Sequence, residues 1–91
     1  MYEIQPYSFT QAKKHNVIIK PSTRKGKKVD VFDKNQKFIT SIGQIGYKDY
    51  PSYLKVDRNL AEEKKRLYKI RHNKDRNVPM TAGFFADKIL W

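Results

Sequence analysis

The 91-residue chain contains no cysteine, which excludes a disulfide framework and any thiolate metal site and leaves the redox compartment unconstrained. It has two histidines, His15 and His72, too few for a histidine zinc site and set in unrelated contexts. No HxH, HxxxH or DxD spacing and no cluster of His with carboxylates is present, nor any GxGxxG, Walker loop or GxSxG, so no metal and no cofactor is expected. Long apolar runs are missing, and the opening MYEIQPYSF carries Glu3 within a mixed stretch. Neither a membrane span nor a secretory signal is expected, and hence no membrane partner and no secretion. Acid is scarce as well: 9 Asp and Glu face 20 Lys and Arg, a formal charge of +11. A chain of this length has room for one domain that buries roughly two thirds of its unfolded surface, and deep catalytic clefts are hard to build at that size.

Aromatics and cations are what the chain does have. Six Tyr, five Phe and one Trp supply a third of the hydrophobic residues, and each buries a large area, so a small aromatic core is expected. Seven of the thirteen residues 64–76 are Lys or Arg. A block of like charge raises the free energy of the compact state, and an anionic partner relieves it.

Along the chain, Ser8 or Thr10 is expected to cap a short helical turn over residues 11–14. The β-branched run 17–19 predicts a strand stopped by Pro21, at a sheet edge. Residues 21–28, basic and centred on Gly26, read as a mobile loop. The runs KVDVF (28–32) and KFITSI (37–42), separated by DKNQ, form the clearest hairpin signal. Residues 43–53 read as a connection held against the core by Tyr47, Tyr50 and Tyr53. Asn59 followed by Glu62 resembles a capping box, predicting a helix over 60–72 with Glu62 and Arg66 paired at i, i+4. Its apolar half is expected to hold Leu60, Ala61, Leu67, Tyr68 and Ile70, with Glu62, Lys65, Arg66 and Lys69 opposite. Arg71 falls on the apolar half, so it is expected to be covered and bonded to Asp87, to the terminal carboxylate of Trp91 or to loop carbonyls of residues 47–53. Thr81 predicts a last helix over 82–91, so apolar that it must pack.

Two basic features are candidate phosphate contacts: Lys64, Lys65, Arg66, Lys69, Arg71, Lys74 and Arg76 on and after the long helix, and Arg24, Lys25, Lys27 and Lys28 in the first loop. The bland alternatives are a solvated helix face and a disordered turn. Tyr47, Tyr50 and Tyr53 are expected to pin their loop, with base stacking the competing role. His72 beside Arg71 gives a nuclease reading its one foothold, as a general acid or base, but the constellation is incomplete, and His72 is grouped with the phosphate contacts.

The segments KKVDVFD, ITSIG, GYKDYPSY, EEKKRLYKIRH and TAGFFADKILW, in that order, resemble a small uncharacterised family of basic proteins from nucleocytoplasmic large DNA viruses of algae and protists, with more distant look-alikes in tailed phages. The resemblance covers residues 27–91. It implies a viral source and a role in the particle or its genome. The location would be the virion or the host cytoplasm, nucleus or viral factory. It carries over no catalytic residue.

The expectation is a single α+β domain: an N-terminal extension over 1–26 and a core over 27–91, with a short antiparallel sheet packed against two C-terminal helices. Phe32, Phe38, Leu67, Tyr68, Phe84, Phe85, Ile89 and Trp91 are the expected core, with Arg71 and Trp91 structural. The functional expectation is a non-enzymatic, virion-associated protein binding nucleic acid, viral DNA in the first instance, through phosphates without sequence specificity. The alternatives are a minor capsid or cementing protein on acidic capsid surfaces and a small nuclease.

Overall fold

Three antiparallel strands, β1 (Ile18–Pro21), β2 (Lys27–Phe32) and β3 (Phe38–Gln44), form a sheet of order β1-β2-β3 in the computed structural model, which describes residues 2–74 and 76–91. Around it lie α1 (Pro6–Lys14), α2 (Tyr50–Leu54), α3 (Arg58–Arg71) and α4 (Ala82–Phe85), the last running into a π-helical turn, Ala86–Leu90. The molecule is a single α+β domain.

The expected hairpin is present as β2 and β3. Asp33 closes it, accepting the N–H groups of Asn35 and Lys37 at 2.9 Å each, while Gln36 takes a left-handed φ of 65°. Register pairs Val29 with Ile42 and Val31 with Thr40, and a bulge follows Val31. Val29, Val31 and Ile42 are sealed from solvent together with Ile19, the partner of Val31 on β1. β1 lies at the sheet edge, where Pro21 can occupy a strand because no ladder bond is asked of its missing N–H. It begins one residue later than predicted and includes Pro21, and the basic segment after it is shorter than predicted, because Lys27 and Lys28 already belong to β2.

The N-terminal helix is longer than the predicted turn. Pro6 occupies its first turn, where a missing N–H costs nothing, and no side chain caps it. It ends in a Schellman arrangement: Asn16 turns left-handed, and the Val17 and Asn16 N–H groups bond the Ala12 and Lys13 carbonyls at 3.1 and 3.2 Å. Ser8, expected to cap, is buried and donates to the Ile89 carbonyl at 3.0 Å, while Tyr7 and Gln11 donate to the Trp91 and Lys88 carbonyls. Thus α1 satisfies carbonyls that the C-terminal turn leaves open. Residues 2–26, expected as an extension, contribute Ile4, Ala12 and Ile19 to the same core as Phe85, Ile89 and Leu90. Met1 lies outside the described residues.

α3 starts two residues earlier than predicted, with Asp57 as its cap accepting from the Asn59 N–H at 2.9 Å. Glu62 does not cap. It accepts the Tyr50 hydroxyl, and Arg66 pairs with Glu63 at 2.6 Å. The buried seam of α3 is Ala61 and Tyr68, whereas Leu60, Leu67 and Ile70 are exposed. Lysines of α3, not these apolar residues, face the rings of α2. Lys65 Nζ lies 4.7 Å from the Tyr50 ring centre and Lys64 Nζ 5.8 Å from that of Tyr53, so the cationic side turns inward over aromatic rings. Among the expected core residues, Tyr68, Phe85 and Ile89 are buried, Phe32, Phe84 and Trp91 are half-buried, and Phe38 and Leu67 are exposed.

Candidate functional site

Two adjoining grooves run across one end of the sheet. The first, about 680 Å³, lies between the end of the β2–β3 hairpin and α3, with Lys27, Lys48, Lys64 and Arg71 among its lining cations and Tyr47, Tyr53, Tyr68, His72 and Trp91 among its rings. The second, about 710 Å³, is lined by Tyr2, Arg24, Gly26, Ile45 and Ser52 among others. Lys27, Lys28, Tyr47 and Lys48 belong to both, so Tyr47 and its neighbours form the ridge between them.

The ridge is held from beneath by Lys28, which is 4% exposed. Its ammonium donates to the Tyr47 carbonyl and lies 3.0 Å from Asp49 Oδ2. Asp49 also accepts the Tyr2 hydroxyl at 2.6 Å and the N–H and hydroxyl of Ser52 at 3.0 and 2.7 Å, capping α2. Burial works against its ionisation. The hydrogen bonds from Tyr2, Ser52 and Lys28 and the adjacent ammonium outweigh that and hold its carboxyl below the usual range. Burial, the bond to Asp49 and the Asp49 charge push the Tyr2 phenol far above its ordinary value. Among the described residues Asp49 is the one side-chain carboxylate lining either groove, and Lys28 neutralises it. No other side-chain carboxylate among the described residues lines the grooves beside Arg24, Lys27, Lys48, Lys64 and Arg71.

The far wall of the first groove is a ring column. Tyr68 stacks on Trp91 with centroids 4.5 Å apart and planes 9° from parallel, and on His72 at 4.4 Å and 29°. Tyr53 leans toward Trp91 at 6.3 Å, and Lys48 and Lys64 reach over the Tyr53 ring at 5.7 and 5.8 Å. Trp91, expected to be structural, is thus also part of the groove wall.

The predicted phosphate contacts divide into distinct groups. Lys27, Lys64 and His72 line the first groove, and Arg24 and Lys27 the second. Lys28 is a correction: sitting on a central strand, it is buried and braces the ridge from within. Lys65, Lys69 and Arg76 turn to another side, Lys65 over Tyr50 and the others toward the buried Asp87. Burial lowers the Lys69 ammonium below its ordinary value, outweighing its bond to Asp87. Arg66 is exposed and paired with Glu63, and Lys25 and Lys74 are exposed without lining either groove. Arg71 is the second correction: it is exposed, makes a long 3.4 Å contact from Nε to His72 Nε2, and lines the first groove, because Asp87 is already held by Lys69. Tyr47, expected to pin its loop, is 68% exposed, while Tyr50 is buried.

Sequence reasoning missed Lys48 as a groove cation and misplaced Arg71. The spacing Lys64 to Arg71, two helical turns, puts both on one face and was the available signal. Among the described residues no group of three or more His, Cys, Asp or Glu converges as a metal site would require, and no helix is long and apolar enough to cross a membrane. Compared with protein-family models, with curated proteins and with solved structures, the chain has no match in any of the three.

Proposed function

We propose that this chain is a non-enzymatic basic protein that binds nucleic acid through its phosphates, without sequence specificity, along the two adjoining grooves. One observation carries the reading: cations from separate elements (Arg24 before β2, Lys27 on β2, Lys48 before α2, Lys64 and Arg71 on α3) line one continuous track in which, among the described residues, the single side-chain carboxylate is buried and neutralised. Cations along a groove release counterions when a phosphate backbone replaces them, so affinity should be steeply salt-dependent. Lysine-dominated contacts to phosphate position a strand without reading bases.

The test is binding of several unrelated oligonucleotides across a salt series. If Lys27, Lys48, Lys64 and Arg71 each meet a phosphate, log Kobs against log salt should have a slope of roughly −3 to −4. Lys64→Gln and Arg71→Gln should each weaken binding uniformly and flatten that slope by about 1, while Lys34→Gln in the hairpin turn should do neither. Binding that ignores salt, or a preference above roughly a thousandfold for one sequence, is incompatible with the proposal.

A second reading is favoured by one feature. Leu60, Leu67 and Ile70 form an exposed apolar row on α3 beside Arg66 and Arg71. An acidic protein surface with an apolar centre, such as a capsid subunit, fits such a row, and its binding would fade less with salt than phosphate binding does.

A further inference from the structure

We propose that the track takes single-stranded nucleic acid in preference to duplex, with Tyr47 as the platform on which an unpaired base stacks. The inference rests on the phosphate-binding reading above and names the form of nucleic acid that the same site accepts.

Tyr47 combines two properties that rarely coincide in a small domain. The residue is 68% exposed, yet its backbone is fixed: the buried Lys28 ammonium bonds its carbonyl, its N–H bonds the Gln44 carbonyl at 3.2 Å, and the Ile45 N–H bonds the Gly26 carbonyl at 2.9 Å. A large aromatic presented on a braced loop is preorganised for a flat apolar partner, because little conformational freedom remains to be lost on contact. Its position is as informative as its exposure. Tyr47 stands on the ridge shared by both grooves, with Lys27 and Lys48 lining the same two hollows. A strand crossing the ridge would meet cations on either side and a ring between them, the pairing of stacking surface and positive groove that sequence-tolerant single-strand binders use. In a duplex each base face is already covered by its neighbours, so Tyr47 would gain nothing from it. The rings of Trp91, Tyr68 and His72 are stacked on each other, which leaves Tyr47 as the ring best placed to receive a base.

The experiment compares labelled oligothymidylate of about a dozen nucleotides, within the span of known single-strand sites, with a duplex carrying the same number of phosphates, by fluorescence anisotropy at fixed salt. The wild type should bind the single strand at least about tenfold more tightly, and Tyr47→Ala should weaken it by roughly five- to a hundredfold, the range measured for loss of one stacked base. Tyr47→Ala should leave duplex binding within about twofold, and Tyr47→Phe, which keeps the ring, should restore single-strand affinity to about the same margin. Because the Tyr47 side chain points to solvent, circular dichroism of both variants should match the parent. Equal affinity for the two forms, an equal loss for both in Tyr47→Ala, or a Tyr47→Phe as weak as Tyr47→Ala would overturn the inference and leave the phosphate track standing. The track itself fails separately, if Lys64→Gln and Arg71→Gln bind both forms as the parent does.

Discussion

Lys69 Nζ lies 2.5 Å from Asp87 Oδ1, and this contact fixes which side of α3 faces the body of the protein. Asp87 sits in the π-helical turn, 1% exposed, with Lys88 Nζ at 3.2 Å and Arg76 Nη1 at 3.9 Å from its other oxygen. That second oxygen accepts no hydrogen bond among the described residues. A buried carboxylate surrounded by cations from α3, from the segment after it and from its own turn joins the two halves of the C-terminal region.

The stability consequence is specific. Removing Lys69 leaves a buried carboxylate short of its closest cation, so Lys69→Ala should destabilise by about 1–3 kcal/mol, below the full buried-pair value because the ammonium end is partly solvated. Arg71→Ala, on the exposed side, should change stability by less than about 0.5 kcal/mol while weakening nucleic-acid binding. Urea unfolding of the two variants checks this, and a larger loss in Arg71→Ala would reverse the faces of the helix.

The hairpin and the existence of α3 were legible because each depends on local chemistry: alternating β-branched residues around DKNQ, and a capped run of good helix formers. The face of α3 was not. Hydropathy sorts Leu60, Leu67 and Ile70 inward, but the long stems of Lys64, Lys65 and Lys69 can cover rings and reach a carboxylate, and only the position of Tyr50, Tyr53 and Asp87 decides that they do. α1 was underestimated because it lacks a side-chain cap, leaving Pro6 as its sole start signal. The π-helical turn departs from the 3.6-residue period on which helix reading rests. Of the candidate site, Arg24, Lys27 and Lys64 were named from the sequence and Lys48 was not. The division of the basic residues between a groove and the Asp87 cluster could not be read there, because Arg24, Lys27, Lys48, Lys64 and Arg71 meet only through tertiary structure.

Acid should unfold the protein through Asp30 and Asp49. Burial raises the Asp30 pKa, but hydrogen bonds from Ser22, Ser41 and the Thr23 N–H and the charge of Arg24 outweigh it, so both carboxyls titrate below their ordinary range. A carboxylate whose folded pKa is depressed contributes stability that is complete above its unfolded value, about 3.9, and lost as pH falls through the folded one. Unfolding free energy should therefore be nearly level down to about pH 5 and fall below about pH 4. Asp49→Asn should lower stability at neutral pH and shrink the acid-induced drop. An unchanged drop would remove Asp49 from the account.

Gly43 should not tolerate a side chain. Its φ of 75° is left-handed, and an added Cβ would lie 2.8 Å from Leu90 Cδ1 and 3.0 Å from Lys28 Cδ. Leu90 is locked in the core and Lys28 in its ion pair, so neither can withdraw freely. Gly43→Ala should cost about 1–3 kcal/mol through backbone strain and overpacking together. Thermal melting that placed it with the parent would show that β3 can shift at this point.

The closing segment after Met80 should be indispensable to the fold. Phe85, Ile89 and Leu90 are at most 1% exposed and pack with Val29, Val31, Ile42 and the N-terminal Ile4 and Ala12. Their loss would open both the inner face of the sheet and the side of α1 that covers it. It would also strip α1 of the Lys88, Ile89 and Trp91 carbonyls that its Gln11, Ser8 and Tyr7 side chains bond, leaving Ser8 buried without its acceptor or newly wet. Tyr68 would lose the Trp91 ring beneath it, and Lys69 its carboxylate, so α3 would lose both of its named contacts to the C-terminal segment. A domain this small has a net stability of only about 5–15 kcal/mol, and a single large-to-alanine change in such a core already costs about 2–5 kcal/mol. A chain ending at Met80 should therefore show no cooperative melt and no fixed near-ultraviolet dichroism, while Leu90→Ala should fold with a lowered melting temperature. A truncated chain that melted cooperatively near the parent temperature would mean that the sheet and α1 form a core without the C-terminal turn.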